Sequence, residues 1–367
     1  MKRLQIGIDI NEANVTSRVG TGQYLYNILK YFHNHDEIDF HLYHRDALQG
    51  DMPVAAPHWQ YIQVSPSRAW LSFSLPLYLA IHKRNDVFWA PAHYMSALTK
   101  SNNVVTIHDL AYEYFPKLFL LKDLYKLKKW TRHAISHSRC VISVSSATKD
   151  DLVKLYGLDP TKIVVIHNGY DNSVFNTKDP DKSILDKWHL KNENYILFLG
   201  TIQPRKNAIK LIQAFTLLKE SGYKGKLVLA GGIGWLAQET LEVIRTSPHH
   251  KDIVMTGYVS DQERKALYSF AGVYVLPSLY EGFGVPAIEA MGCGAPVVVA
   301  DNSSLPEVVG DAAVLFNASD SAGMAHAIST VLKDRASWVK KSLARAKRFS
   351  WEKCAKETLK ILMETGK

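Results

Sequence analysis

Short apolar runs alternate with stretches of helical spacing along almost the whole chain. In the first half, Leu4–Ile8, Phe40–Tyr43, Tyr61–Val64, Val87–Trp89 and Val104–Ile107 read as buried strands, and Val141–Val144 and Ile163–Ile166 continue the series. Helical periodicity lies between several of them, as over Tyr24–Phe32 and Leu121–Ile135. This alternation predicts a parallel sheet covered on both faces, because parallel neighbours are joined by crossovers and the crossovers are helices. Around Asp171–Asp186 the chain turns polar and loses its period, notably at Asp179-Pro180-Asp181-Lys182, which reads as a linker. A second series starts at Tyr195–Leu199 and runs through Lys226–Ala230, Ile253–Met255, Val273–Leu276 and Val297–Ala300. Trp351–Met363 is again helical by spacing. The pattern predicts the α/β class, with doubly wound domains at residues 1–180 and 181–348 facing each other across a cleft. Ligands in such sheets bind beyond the carboxyl ends of the strands.

Length agrees, since 367 residues exceed one ordinary core. The 47% hydrophobic and 22% charged content is that of a water-soluble globular chain. Cys140, Cys293 and Cys354 lie far apart, so neither a disulfide framework nor a zinc site is indicated, and a reducing, cytoplasmic setting fits. The first apolar run stops at Asp9, too soon for a signal peptide. Ala69–Ile81 is too short to cross a bilayer and is interrupted by Pro76, so it reads as core or as an interfacial helix.

A net charge of +9 calls for an anionic partner: nucleic acid, anionic lipid or a phosphorylated substrate. Lys117, Lys122, Lys126, Lys128, Lys129 and Arg132 lie among Leu118, Leu120, Leu121, Leu124, Leu127 and Trp130, which makes an amphipathic helix with a cationic face. Either its leucines pack on the core with the cations solvated, or it meets a membrane surface or a lipid-linked acceptor. No interleaved repeat of aromatic and basic residues supports nucleic-acid binding, which would also collapse steeply with salt.

Four places carry candidate chemistry. Gly20-Thr21-Gly22 joins the first strand to the first helix, where glycines either turn the chain or let backbone approach a bulky anion. Thr106-Ile107-His108-Asp109 leaves a strand tip, so His108 and Asp109 either orient or deprotonate a ligand, or bond nearby backbone and cap the next segment. Adjacent residues cannot share one direction, which argues against a direct relay between them. Gly200-Thr201-Ile202-Gln203-Pro204-Arg205-Lys206-Asn207 places two cations where a helix starts, an unfavourable end for positive charge unless an anion binds there. Diphosphate is the natural anion, and two exposed cations are the alternative.

The fourth place is Glu281-Gly282-Phe283-Gly284-Val285-Pro286-Ala287-Ile288-Glu289, with carboxylates eight positions apart. Pro286 suits a first helical turn, leaving the amides of Phe283, Gly284 and Val285 aimed at an anion. Eight helical residues span about 12 Å, the reach of a sugar, a diphosphate and a ribose laid end to end. Paired carboxylates also suit glycoside hydrolysis, or solvated charge on a helix, but the free amides and glycines weigh against both. Asp179-Pro180-Asp181 has metal-motif spacing yet follows no strand, and reads as loop. Gly231-Gly232-Ile233-Gly234 either borders a nucleotide or turns the chain. Metalloprotease, Walker-type and nucleophile-elbow motifs are missing.

Taken together, these residues resemble glycosyltransferase family 4, the retaining group with the GT-B fold of two Rossmann-like domains. The likeness is carried by Gly20-Thr21-Gly22, Ile107-His108-Asp109, His167-Asn168-Gly169, Pro204-Arg205-Lys206-Asn207 and, most specifically, Glu281 to Glu289. It implies a hexose transferred from a nucleoside-diphosphate sugar to a saccharide or lipid-linked saccharide, without cofactor or metal. It implies that Glu281 holds a sugar hydroxyl, that the backbone of Phe283, Gly284 and Val285 binds sugar and diphosphate, and that Glu289 accepts the ribose hydroxyls. Val259 borders the base, Lys206 with Arg205 stabilises the leaving diphosphate, Gly20, with Thr21 and Gly22, approaches the phosphate, and His108, beside Asp109, lines the sugar pocket. Residues 349–367 cross back to an acceptor-side N-terminal domain. One departure is Thr201, where many members carry arginine; Arg205 is the compensating residue. The runs Val105–Asp109 and Gly200–Asn207 are most similar to mannosyltransferases of surface polysaccharide assembly, which puts GDP-mannose first and a UDP-sugar second. The rivals are a sugar phosphorylase or small-glycoside synthase on the same fold, a sugar-nucleotide epimerase and, from another class, a nucleic-acid-binding protein.

Overall fold

The structure is a computed structural model that describes residues 3–82, 84–96 and 99–367. The chain forms two units, Met1–Gly169 with Trp351–Lys367, and Tyr170–Ser350. In the first, strands β1 (Gln5–Asp9), β2 (Asp39–His44), β3 (Trp59–Gln63), β4 (Val87–Ala90), β5 (Asn102–Ile107), β6 (Cys140–Ser143) and β7 (Ile163–Val165) form one parallel sheet in the order β3-β2-β1-β4-β5-β6-β7. Helices α1 (Thr21–Phe32), α2 (Leu75–Ile81) and α3 (Leu121–His137) cover it.

Side-chain alternation along the strands sorts the two faces. Ile6, Ile8, Trp89, Val104 and Ile142 pack with Leu25, Ile28 and Leu29 of α1. Their strand neighbours point the other way: Phe88 packs with Leu75 and Leu79 of α2, while Val105 and Val141 pack with Ala134 and Ile135 of α3. The run containing Pro76 is continuous helix, because the proline falls in the first turn of α2, where its missing N–H costs nothing.

The second unit holds β8 (Tyr195–Leu199), β9 (Lys226–Ala230), β10 (Ile253–Gly257), β11 (Val273–Leu276), β12 (Val297–Ala300) and β13 (Ala313–Phe316), with helices α4 (Ala208–Glu220), α5 (Asp261–Ser269) and α6 (Val285–Gly292). Its parallel order is β10-β9-β8-β11-β12-β13. Connections leave β8 toward one edge and β11 toward the other, so these neighbours flank the switch point where such sheets hold ligands.

The units change hands at Gly169/Tyr170, not after residue 180 as the polar stretch suggests. Packing is the reason. Tyr170 and Phe175 sit against Gly292, where an added Cβ would lie 2.5 Å from the Tyr170 ring, and the Phe175 ring meets Tyr268 edge-on at 6.1 Å. At the far end the second unit closes at Ser350, and α7 (Trp351–Thr365) packs Cys354, Ala355, Leu359 and Leu362 beside α1 in the first unit. No helix among the described residues is long and apolar enough to cross a membrane.

Candidate active site

Two loops meet above the switch point of the second sheet. After β8, Gln203 leads into a short turn, Pro204–Lys206, and α4 begins only at Ala208. Asn207 takes a left-handed conformation (φ 60°), and its Nδ2 donates to the carbonyls of Pro277 at 2.9 Å and Ala318 at 2.8 Å. The amide of Leu279 donates to the Arg205 carbonyl at 2.9 Å. The loop after β8 and the loop after β11 are therefore held in register by backbone.

That register decides where the cations point. Lys206 Nζ lies 2.6 Å from Glu281 Oε1, and Arg205 Nη1 lies 3.3 Å from Oε2 while donating to the Tyr280 carbonyl at 2.5 Å. The sequence places both cations at the first turn of α4 awaiting an anion. Instead they stand one turn earlier, and the anion beside them is the protein's own. Ser278 Oγ donates to Glu281 Oε1 at 2.5 Å. The Glu281 backbone is fixed too, its N–H donating to Ser303 Oγ and its carbonyl accepting from Ser304 Oγ, each at 2.9 Å. Burial alone would raise the Glu281 pKa, but Lys206 and Arg205, with the hydrogen bonds from Lys206 and Ser278, pull it down to about 2. The result is a carboxylate enclosed in protein with two cations beside it.

Glu281 precedes α6; it is not part of it. Gly284 caps the helix at φ 95°, and an added Cβ there would lie 2.7 Å from Leu305 Cδ2, so glycine is required twice over. Pro286 occupies the first turn. The opening amides of α6 have no carbonyl one turn earlier within the helix, the arrangement that suits an anion. Phe283 is buried, with its ring edge-on to Phe349 at 5.6 Å.

Glu289 stands deeper in α6, also buried. From α5, Arg264 Nη1 approaches its Oε2 at 3.3 Å and Tyr268 Oη donates at 3.2 Å. Burial pushes its carboxyl up to about 7, with Arg264 and Tyr268 opposing the shift and Asp261 and Asp171 adding to it. The two glutamates thus have opposite electrostatics, one held ionised and one poised near neutrality. Val259, at the end of the turn after β10, buries its side chain, whereas Tyr258 beside it is exposed.

In the first unit, Gly20 (φ 44°) precedes α1, and Thr21 Oγ1 donates to Glu12 Oε2 at 3.0 Å. An added Cβ on Gly22 would lie 2.6 Å from the Glu12 carbonyl oxygen. Tyr24 of α1 sets its ring edge-on to His108 at 4.8 Å, so the start of α1 and the tip of β5 adjoin. His108 Nε2 donates to the Pro91 carbonyl at 2.8 Å, which leaves Nδ1 as the acceptor. Burial, with His93 nearby, lowers its pKa to about 4, so the ring is neutral at ordinary pH. Asp109 accepts from the Ala111 amide at 3.1 Å and caps the short helix that follows, in a different direction from His108. Asp181 likewise serves its own loop, accepting from Ser183.

Sequence reasoning passed over Ser303, Ser304, Arg264, Tyr268 and His93. Arg264 and Tyr268 shared one local signal, which gives their helix face but not their partner: α5 opens on a capping box, Ser260 with Glu263, which fixes the helix phase and sets the two residues one turn apart on one face.

A family model described as glycosyl transferases group 1 matches residues 181–350, and one described as glycosyltransferase family 4 matches residues 19–174. O-antigen chain mannosyltransferase B of Escherichia coli is 31% identical over 300 residues, 77% of this chain and 78% of that protein. O-antigen chain mannosyltransferase RfbU of Salmonella typhimurium is 29% identical over 71% of this chain and 69% of its own length. Alpha-maltose-1-phosphate synthase of Mycolicibacterium smegmatis is 29% identical over 77% of this chain and 78% of its own. Among solved structures, sucrose-phosphate synthase from Thermosynechococcus elongatus superimposes with a TM-score of 0.80 at 19% identity, covering 99% of both chains.

Proposed function

The chain belongs to glycosyltransferase family 4, a hexosyltransferase with the GT-B fold, and from that premise we propose that it transfers mannose from GDP-mannose, with retention and without a metal, to a saccharide or lipid-linked saccharide acceptor. The observation that carries this reading is the ion cluster of Lys206, Arg205 and Glu281 beside the N-terminus of α6.

In this reading the diphosphate sits on the opening amides of α6, and Glu289 accepts the ribose hydroxyls. Glu281 holds a hydroxyl of the hexose and at the same time keeps Lys206 and Arg205 in place. As the bond from the anomeric carbon to the diphosphate breaks, the electron pair leaves with the phosphate. The positive side chains stabilise that charge in the role a divalent metal fills elsewhere. Pre-positioned groups of this kind act without reorganising, and each lowers the barrier by about 3–4 kcal/mol. The acceptor hydroxyl then attacks the face the diphosphate leaves, its oxygen bonding the anomeric carbon as its proton passes to the departing phosphate oxygen. His108, neutral and with Nδ1 open, lines the sugar pocket as a hydrogen-bond acceptor. Mannose is favoured over other hexoses by the mannosyltransferase relatives.

The maltose-1-phosphate synthase relative supports a second reading, in which the acceptor is a sugar phosphate. Incubating the protein with GDP-mannose, UDP-glucose and ADP-glucose, each with a mannoside, a free sugar phosphate or inorganic phosphate, separates the readings. Mannosyl transfer from GDP-mannose in the presence of a chelator is the expected result. Turnover only with UDP- or ADP-glucose and a phosphorylated acceptor overturns it.

A further inference from the structure

His108 is held from two sides by one loop of the first unit. It stands one residue past β5, where the pairing with β6 ends at Ile107 and Ser143, so its backbone N–H has no place in the ladder and needs a partner of its own. That N–H donates to Nε2 of His93 at 3.3 Å. Two residues before His93, the Pro91 carbonyl accepts from His108 Nε2 at 2.8 Å. The loop after β4 therefore fixes the backbone and the ring of His108 together, and the open Nδ1 is left with one direction.

His93 can do this in one tautomer only. A ring nitrogen that accepts from an N–H must be bare, so the proton of a neutral His93 is on Nδ1. Burial keeps the ring neutral: His93 is 8% exposed and its pKa is pushed down, with Asp109 opposing the shift. Nδ1 lies 3.3 Å from Oγ1 of Thr131 on α3, which is fully buried. The Thr131 hydroxyl is also hydrogen-bonded to the Tyr112 phenol, which lies 3.2 Å from the phenol of Tyr156. Tyr156 donates its one proton to Glu113 at 2.7 Å, and Lys128 meets the other Glu113 oxygen at 2.7 Å. Each hydroxyl has one proton to give, so the acceptor at the far end orients the row: Tyr112 donates to Tyr156, Thr131 to Tyr112, and His93 Nδ1–H to Thr131. A row that ends on a carboxylate thus leaves Nε2 bare where the His108 backbone needs it.

We propose that His93 is a positioning residue for the transfer reaction: its Nε2, kept bare by Thr131, aims Nδ1 of His108 at the hexose. The proposal rests on the reading of His108 as a lining residue of the sugar pocket, and it assigns His93 no contact with substrate.

A double-mutant cycle on the full chain tests it, with kcat measured on whichever of GDP-mannose, UDP-glucose and ADP-glucose turns over. His93→Asn places an amide near Nδ1, which keeps the bond to Thr131 and takes the acceptor away from the His108 N–H. Its kcat should fall about tenfold or more, since a contact misplaced by about 1 Å already loses rate on that scale. His93→Gln puts an amide oxygen near the lost Nε2 and, by restoring the acceptor, should stay within about threefold of the native rate. Thr131→Val frees the other tautomer, whose Nε2–H faces the His108 N–H, and should lower kcat by about threefold to tenfold. In a His108→Ala chain, His93→Asn should cost no further rate, a result that a merely structural role would not produce. Thermal midpoints show that each variant is folded, and if His93→Asn does not fold, Thr131→Val takes its place in the cycle. If His108→Ala leaves kcat unchanged, the sugar-pocket reading of His108 falls and the proposal with it. If His108→Ala lowers kcat while His93→Asn leaves it unchanged in folded protein, or lowers it equally in the His108→Ala chain, the positioning role of His93 alone is overturned.

Discussion

Glu281 and Lys206 lie 75 positions apart in the chain, yet their side chains meet at 2.6 Å. The contact joins the tips of β8 and β11, the two strands at the switch point of the second sheet. The charges of the two loops are thereby one assembly, and disturbing either disturbs both.

Replacing Lys206 with Met should lower kcat by about a hundredfold or more, because a donor aimed at developing charge acts in the transition state. The substitution also leaves Glu281 buried with Arg205 as its sole remaining cation, so a stability loss of up to about 3–5 kcal/mol is expected. Steady-state kinetics alongside urea unfolding separates the two effects. An unchanged kcat in folded protein would refute the catalytic assignment.

Acid stability should report the same cluster. Glu281 is held at about 2, against 4.5 for a free glutamate, so folding favours its ionised form. That stability is present above about 4.5 and is lost as pH falls from there through about 2. Glu281→Gln removes this dependence while leaving two enclosed cations without their anion. The gap in unfolding free energy between the native chain and the variant should therefore be widest at neutral pH and shrink below about 4.5. A gap that stays constant down to pH 2 contradicts the pairing.

How much of this was legible depended on the range of the interaction. Strands such as Tyr195–Leu199 and Val273–Leu276 were readable residue for residue, because buried parallel strands are apolar at every position. β13 (Ala313–Phe316) was missed: it is an edge strand with Leu315 partly exposed, and its four residues do not form a distinctive run. At the site, Glu281, Gly284 and Glu289 were visible because they lie within one local motif. Ser303, which fixes the Glu281 backbone from 22 positions away, and Arg264, which meets Glu289 across 25, follow from sheet order and helix phase, and no local period encodes either. The same limit applied to Arg205 and Lys206. Their charge was plain, but the carboxylate they face could be found only by folding the chain.

Gly284→Ala tests the anion seat without touching a charge. The left-handed φ of 95° and the 2.7 Å approach to Leu305 both oppose a Cβ. Strain of this type costs about 1–3 kcal/mol. Relief by shifting the start of α6 would move the amides proposed to hold the diphosphate. The donor KM should rise more than tenfold, with GDP inhibition weakened in parallel. If GDP affinity is unchanged, the diphosphate binds elsewhere.

If Glu289 accepts the ribose hydroxyls, as proposed, donor binding should be sensitive to pH near neutrality. Burial raises its carboxyl to about 7, while Arg264 and the Tyr268 hydroxyl oppose that shift. A raised carboxyl favours the protonated form in the fold, so its stability contribution is present below about 4.5 and is lost as pH rises through about 7. Ribose hydroxyls, however, are best accepted by the ionised form. Donor affinity should therefore increase between pH 6 and pH 8 while fold stability declines over pH 4.5 to 7. Glu289→Gln should remove the pH dependence of the donor KM and leave that KM high throughout. Arg264→Gln should keep the dependence but move its midpoint above 7, since a cation that favours the carboxylate has gone. Asp261 and Asp171 act in the other sense, so Asp261→Asn should move the midpoint down. Measuring donor KM from pH 5.5 to 9 in the native chain and these three variants checks the assignment. A midpoint that ignores both Arg264 and Asp261 would show that some other group governs it.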